Sequence, residues 1–209
     1  MLEATDLQCV RGERTLFNGL DVTLKAGQLL RIAGANGSGK TSLIRIMCGL
    51  LAPTHGAVRF QGADIRQLRE EYWGKLVYIG HANAIKEDLS AAENLAIACV
   101  LNRQESAVGR LRDALARVGL TAGEHQPTRE LSQGQKRRVA LARLALSGDV
   151  PIWILDEPFT ALDADAVELV RDLLAEHVAR GGAVAYTTHL ELEIAAAVAL
   201  RIDLGTMRA

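Results

Sequence analysis

Gly34 to Thr41 read "GANGSGKT", which fits the pattern G-x-x-x-x-G-K-[ST]. The chemistry of that spacing is phosphate capture. The glycines Gly34, Gly37 and Gly39 leave backbone N–H groups free to wrap an anion, with Ala35, Asn36 and Ser38 in the same loop and Ser42 just behind it. Lys40 can reach the β- and γ-phosphates of a nucleotide, and Thr41 can offer its hydroxyl to Mg²⁺. The context fits, because the apolar run "LLRIA" precedes the loop and the helix-like "KTSLIRIMCGL" follows it. A second group, "WILDEP", brings Asp156 and Glu157 to the end of an apolar strand. That end is the edge where ligands bind in parallel sheets. Asp156 there can hold Mg²⁺, directly or through water, and Glu157 can orient and deprotonate an attacking water. An acid pair after a strand is weak alone, since a helix-capping carboxylate explains it equally well; beside a phosphate loop it gains force.

The third motif, "LSQGQ" from Leu131 to Gln135, decides the class. With it, the chain resembles the ATP-binding cassette family of transporter ATPases, whose signature LSGGQ is matched at Leu131, Ser132, Gly134 and Gln135, Gln133 replacing the first glycine. Phosphate loop, helical insert, signature, "ILDEP", "ALD" (Ala161 to Asp163) and the histidine of "TTH" (His189) follow in the family's order. The resemblance implies an α/β fold with a P-loop NTPase core on a parallel sheet, an N-terminal antiparallel β subdomain and an inserted helical subdomain. It also implies a head-to-tail homodimer with two ATP molecules sandwiched between the P-loop of one copy and the signature of the other. Ser132 and the Gly134 N–H then donate to a γ-phosphate, as a helix N-terminus can, and His189 is the switch histidine. The basic run Lys136-Arg137-Arg138 reads as a solvated helix face.

Between the first strands and the helical insert lies "VYIGHANAIKEDLSAAENL", Val77 to Leu95. Cassettes of this family carry a glutamine here that touches Mg²⁺ and couples the nucleotide to the membrane partner; this chain has His81. With Asp163, it is assigned to coupling, although it could instead merely cap the helical insert. Together with "SQGQKRRVALARL" and "WILDEPFTALD", the stretch resembles the ATP-binding subunits of cytochrome c maturation systems. That resemblance implies docking on permease subunits at the cytoplasmic face of the bacterial inner membrane, to power haem delivery or release of a haem-loaded chaperone. Without a CxxCH sequence, haem chemistry is left to partners. An exporter of another small molecule is the alternative. A soluble cassette acting on nucleic acid or ribosomes fits less well, and a non-hydrolysing clamp conflicts with intact Lys40, Asp156 and Glu157. Such cassettes usually stack adenine on an aromatic residue before the position of Gly12, where this chain has Arg11. A guanidinium can also stack on a base, and Phe17 is a nearby alternative.

The elements that must position these groups are legible in outline. A chain of 209 residues suits one sizeable domain. Its net charge of −1 gives no basic footprint for nucleic acid. No basic n-region, and no apolar run near the ~20 residues of a membrane helix, marks the chain for secretion or insertion. Leu2 to Phe60 has short alternating runs punctuated by glycine, a β-rich zone. From Leu89 to Leu146 the period is helical: Ser90 and Glu93 form a capping box, and Leu111, Ala114, Leu115 and Val118 make a stripe. Then come an apolar strand, an amphipathic helix on Val167, Val170, Leu174 and Val178, and the strand "AVAYTTH". The single cassette domain therefore divides into a core with its β subdomain (1–80 and 148–209) and a helical subdomain (82–147). Cys9, Cys48 and Cys99 read as small buried hydrophobes.

Overall fold

The structure, a computed structural model, describes residues 1–102, 107–121 and 125–205. Its strands are β1 (Leu2–Arg11), β2 (Arg14–Leu24), β3 (Gln28–Ala33), β4 (His55–Phe60), β5 (Ala63–Asp64), β6 (Leu76–Ile79), β7 (Ile152–Leu155), β8 (Ala183–Thr187) and β9 (Val198–Asp203). Its helices are α1 (Lys40–Met47), α2 (Ile65–Leu68), α3 (Glu70–Trp73), α4 (Ala91–Leu101), α5 (Val108–Ala116), α6 (Gln133–Leu146) and α7 (Ala164–Ala179). The strands form two sheets, one of order β2-β1-β4-β5 with antiparallel pairs and one of order β6-β7-β8-β3-β9 with parallel pairs.

The parallel sheet is covered on both faces, which is why β7 is the continuous apolar run Ile152–Leu155, buried at every residue. Successive side chains of a strand point to opposite faces, and β7 feeds two cores accordingly. Trp153 and Leu155 join Leu95, Leu115, Leu141 and Leu174 beneath α4–α7. Ile152 and Ile154 join Phe17, Ile44 and Val58 between α1 and the antiparallel sheet. The expected stripes Leu111, Ala114, Leu115, Val118 and Val167, Val170, Leu174, Val178 are all buried, as are the three free cysteines. In α7, His177 lies flat on Trp153 with ring centroids 3.7 Å apart and planes 4° apart. Burial, helped by Arg180, holds its imidazole down at about pKa 4.

Sheet order positions the chemistry. With β8 between β7 and β3, the loop after β3, the acids after β7 and the threonines at the end of β8 (Thr187, with Thr188 just beyond) emerge side by side at one edge. Between β6 and β7 in sequence stand α4, α5 and α6. The capping box at α4 is present: Ser90 Oγ accepts from the Glu93 N–H, and Glu93 accepts from the Ser90 N–H. Residues 80–89 form neither helix nor strand, yet they are fastened. The Asn94 amide donates to the Lys86, Leu89 and Ser90 carbonyls and accepts from the Lys86 N–H, and Thr128 Oγ1 donates to the Lys86 carbonyl. No helix among the described residues is long and apolar enough to cross a membrane.

Candidate active site

At the C-terminal end of β3 the chain enters the glycine loop and then α1. Gly39, which precedes α1, has φ +104°, and a β-carbon there would sit 3.1 Å from Leu16 Cβ and 3.2 Å from Phe17 Cδ1. Only glycine takes that conformation without strain. No side chain among the described residues caps α1. Lys40 is buried, and its Nζ donates to the carbonyls of Gly34 (2.7 Å) and Ala35 (3.2 Å). The loop borders a cavity of about 370 Å³ lined also by Thr41, His81, Glu157 and His189.

The acids follow β7. Asp156 is 1% exposed; its Oδ1 accepts from the Thr187 hydroxyl at 2.8 Å, while its Oδ2 is buried with no partner. The same Thr187 oxygen accepts the Glu157 N–H at 2.9 Å, so one β8 side chain braces both acids. Glu157 has φ +50°, a left-handed conformation costing roughly 1–2 kcal/mol in a non-glycine residue. His189 Nε2 stands 3.1 Å from Glu157 Oε1, close enough for an ion pair but not aligned as a hydrogen bond. Two residues beyond His189, Glu191 is gripped through both oxygens by Arg31 of β3, at 2.9 Å each, and Arg31 also holds the Leu190 carbonyl. Sequence reasoning missed this clamp, because an arginine inside an apolar strand carries no motif.

The signature lies on a different surface, a groove of about 570 Å³ lined by Ser132, Gly134, Gln135, Arg138, Ala161 and Asp163. Ser132 caps α6 in a second capping box: its Oγ accepts the Gln135 N–H and Gln135 Oε1 accepts the Ser132 N–H. A β-carbon on Gly134 would lie 2.6 Å from the Ala161 carbonyl oxygen, so the "ALD" turn packs directly on the signature backbone. Asp163 caps α7, and both its carboxylate oxygens accept from Arg138 Nη2, at 2.7 and 2.6 Å.

The ABC transporter family profile matches residues 17–160, more than half of the chain. The chain belongs to the ABC transporter family. It is 48% identical to the cytochrome c biogenesis ATP-binding export protein CcmA of Nitrosospira multiformis, over 97% of this chain and 98% of that one. With the protein of the same name from Methylococcus capsulatus it shares 51% over 91% and 92% of the two chains. The solved structure of a putative ABC transporter ATP-binding protein from Pyrococcus furiosus superposes with a TM-score of 0.85 at 25% identity, covering 100% of this chain and 99% of that one. The fold is thus that of the ABC ATPases.

Within this cassette, some expectations need correction. The basic run is not a solvated face: Lys136 is 9% and Arg137 3% exposed. Lys136 Nζ pairs with Glu87 at 2.7 Å, Arg137 is enclosed, and Arg138 reaches Asp163 and the Gly119 carbonyl. Successive helical residues point about 100° apart, and here each direction meets a neighbour. His81 does not cap the helical insert, since Ser90 does; it lines the nucleotide-loop cavity and a neighbouring one of about 400 Å³ that also contains Asp156, Arg45 and Arg143. Arg11 ends β1 on the surface opposite Arg14, outside the phosphate-loop cavity that Leu16 lines; a base extends beyond the phosphates, so its stacking on Arg11 stands as a proposal. Phe17 is fully buried and presents no face to a base. Arg14 lies closer, its Nη1 3.7 Å from where a Gly37 β-carbon would be.

Proposed function

We propose that the cassette is the ATP-hydrolysing subunit of a membrane transporter that serves c-type cytochrome biogenesis by powering haem delivery or release of a haem-loaded chaperone. The names of its 48–51% identical relatives support the biological setting. The observation that carries the chemistry is that P-loop, Glu157 and His189 converge on one cavity. The residues fit the nucleotide and its metal: the Gly39 cradle admits phosphates against the backbone, and Asp156 Oδ2 is an unpartnered buried oxygen beside them. Mg²⁺ would be held by Thr41 and Asp156 and would neutralise phosphate charge. Lys40 exchanges its carbonyl partners for the β- and γ-phosphates. Glu157 accepts the proton of the water that attacks the γ-phosphorus while the bond to ADP breaks, and His189 steadies the γ-phosphate.

Signature and P-loop line separate cavities of one chain, which favours completion of each site by a second copy. Ser132, the Gly134 N–H and Gln135 would then close over the γ-phosphate held by the partner's loop. The stretch from His81 to Leu89, irregular and next to the nucleotide cavity, is the surface offered to the permease at the cytoplasmic face of the inner membrane. The decisive experiment is Glu157→Gln. It should keep ATP binding, lower hydrolysis at least about a hundredfold and accumulate ATP-bound dimers; hydrolysis at the original rate refutes the assignment of Glu157.

A further inference from the structure

Arg137 sits in the second turn of α6, one turn inside the signature, and is 3% exposed. A guanidinium carries five N–H donors in a fixed plane, and all five are accounted for here. Nε donates to the Pro158 carbonyl at 3.3 Å. Nη2 donates to the carbonyls of Asp156 (2.9 Å) and Glu157 (2.8 Å). Nη1 donates to the Gly80 carbonyl (2.8 Å) and to Asn83 Oδ1 (3.3 Å). No carboxylate oxygen is among its acceptors. Burial pushes the guanidinium down to about pKa 10, against the pull of Asp156 and Glu157, so it stays charged at neutral pH.

The cost of burying a cation on carbonyls alone is large, and an apolar side chain would fill the same space without it. What the cation adds is geometry. Three consecutive carbonyls of the acid turn are pinned at the residue where the backbone is strained, Glu157 at φ +50°. Thr187 holds the N–H of that residue and Arg137 its C=O. The same guanidinium grasps the two residues that flank His81 at one and two positions, Gly80 and Asn83.

We propose that Arg137 is a positioning residue for hydrolysis: it fixes the left-handed Glu157 backbone and ties it to the Gly80–Asn83 segment, so that movement of that segment moves the carboxylate. The proposal rests on Glu157 being the general base. Its test uses Arg137→Met and Arg137→Lys in the full chain, with ATP affinity from fluorescent-nucleotide titration and turnover measured on the same preparations. Arg137→Met should lower kcat about thirtyfold or more while ATP affinity stays within about twofold. Arg137→Lys, with three donors for five acceptors, should lose about three- to tenfold in kcat alone. Unchanged kcat in a folded Arg137→Met protein overturns the proposal, as does a parallel fall of affinity and kcat in both variants, which a general structural role would give. Should Arg137→Met not fold, the Lys variant decides by the same two readouts. On a Glu157→Gln background, Arg137→Met should cause no further fall, because the two act as one unit; a further fall of the full size overturns it. Glu157→Gln run alone separates the premises: if it hydrolyses at the original rate, the base assignment fails; if it is inactive while Arg137→Met is not, only the positioning role fails.

Discussion

Two helix N-termini face phosphate in the proposed sandwich, and they are built in opposite ways. Helix α1 begins after a left-handed glycine with no side-chain cap, and its lysine rests on carbonyls of its own loop. Helix α6 begins with the N–H groups of Ser132 and Gln135 already engaged by their reciprocal box. The first leaves its N–H donors without a side-chain acceptor among the described residues, the arrangement that an anion can fill. The second is a finished surface whose free valence is the Ser132 hydroxyl proton and the Gly134 N–H. In the proposed sandwich, the difference suits one end to binding and the other to recognition of an already bound nucleotide.

The largest break in this comparison is Lys40→Ala, which removes the loop's side-chain cation and should lower turnover at least about a hundredfold, with ATP affinity falling in parallel. Next comes Gly134→Ala, whose methyl meets the Ala161 carbonyl oxygen at 2.6 Å. It should lower turnover about tenfold through displacement of the signature backbone, leaving monomer affinity for ATP unchanged in equilibrium titration. Mixing Lys40→Ala with Ser132→Arg subunits should sharpen the contrast, because one interface of the mixed dimer collects both lesions and the other is intact. Recovery to about a quarter of wild-type activity is expected for independent sites; none, with mixed dimers demonstrated, counts against the sandwich unless the two sites must fire together. The smallest effect on turnover should come from His177, which touches neither end. Its folded pKa lies below its ordinary value, so the unfolded chain takes up the proton first as pH falls. The stability it supports is complete above about pH 6.5 and is lost between there and pH 4. Denaturant midpoints should show about 2 kcal/mol less stability at pH 5 than at pH 7, and His177→Gln should flatten that slope.

The parts of the candidate site that answer to chemistry could be proposed from residues alone. Phosphate capture demands glycines and a lysine at fixed spacing, so Gly34–Thr41 could be named as a candidate loop, as could the acids Asp156-Glu157 and, for the fold, the capping residue Ser90. The parts that answer to packing were hidden. Four-residue β6 is too short to show a period, and β9 is a half-exposed edge strand whose pattern does not alternate cleanly. Arg137 and Lys136 looked solvated because charge on a helix usually is, and only tertiary neighbours 20 to 57 positions away along the chain reveal otherwise. The base-stacking expectation at Arg11 came from position along the turn, and only its alternative is decided by packing, because the fold buries Phe17.

The capping box at α6 has a consequence for speed as well as for structure. A side chain that must be frozen when two proteins meet costs about 0.5–1.5 kcal/mol where it has several rotamers, as Gln135 does. Here Ser132 and Gln135 lock each other while the cassette is alone, so that entropy is spent during folding. In the proposed sandwich, closure over nucleotide would then dock two edges already ordered, and its reversal after hydrolysis would leave no side chain to be reordered for the next cycle.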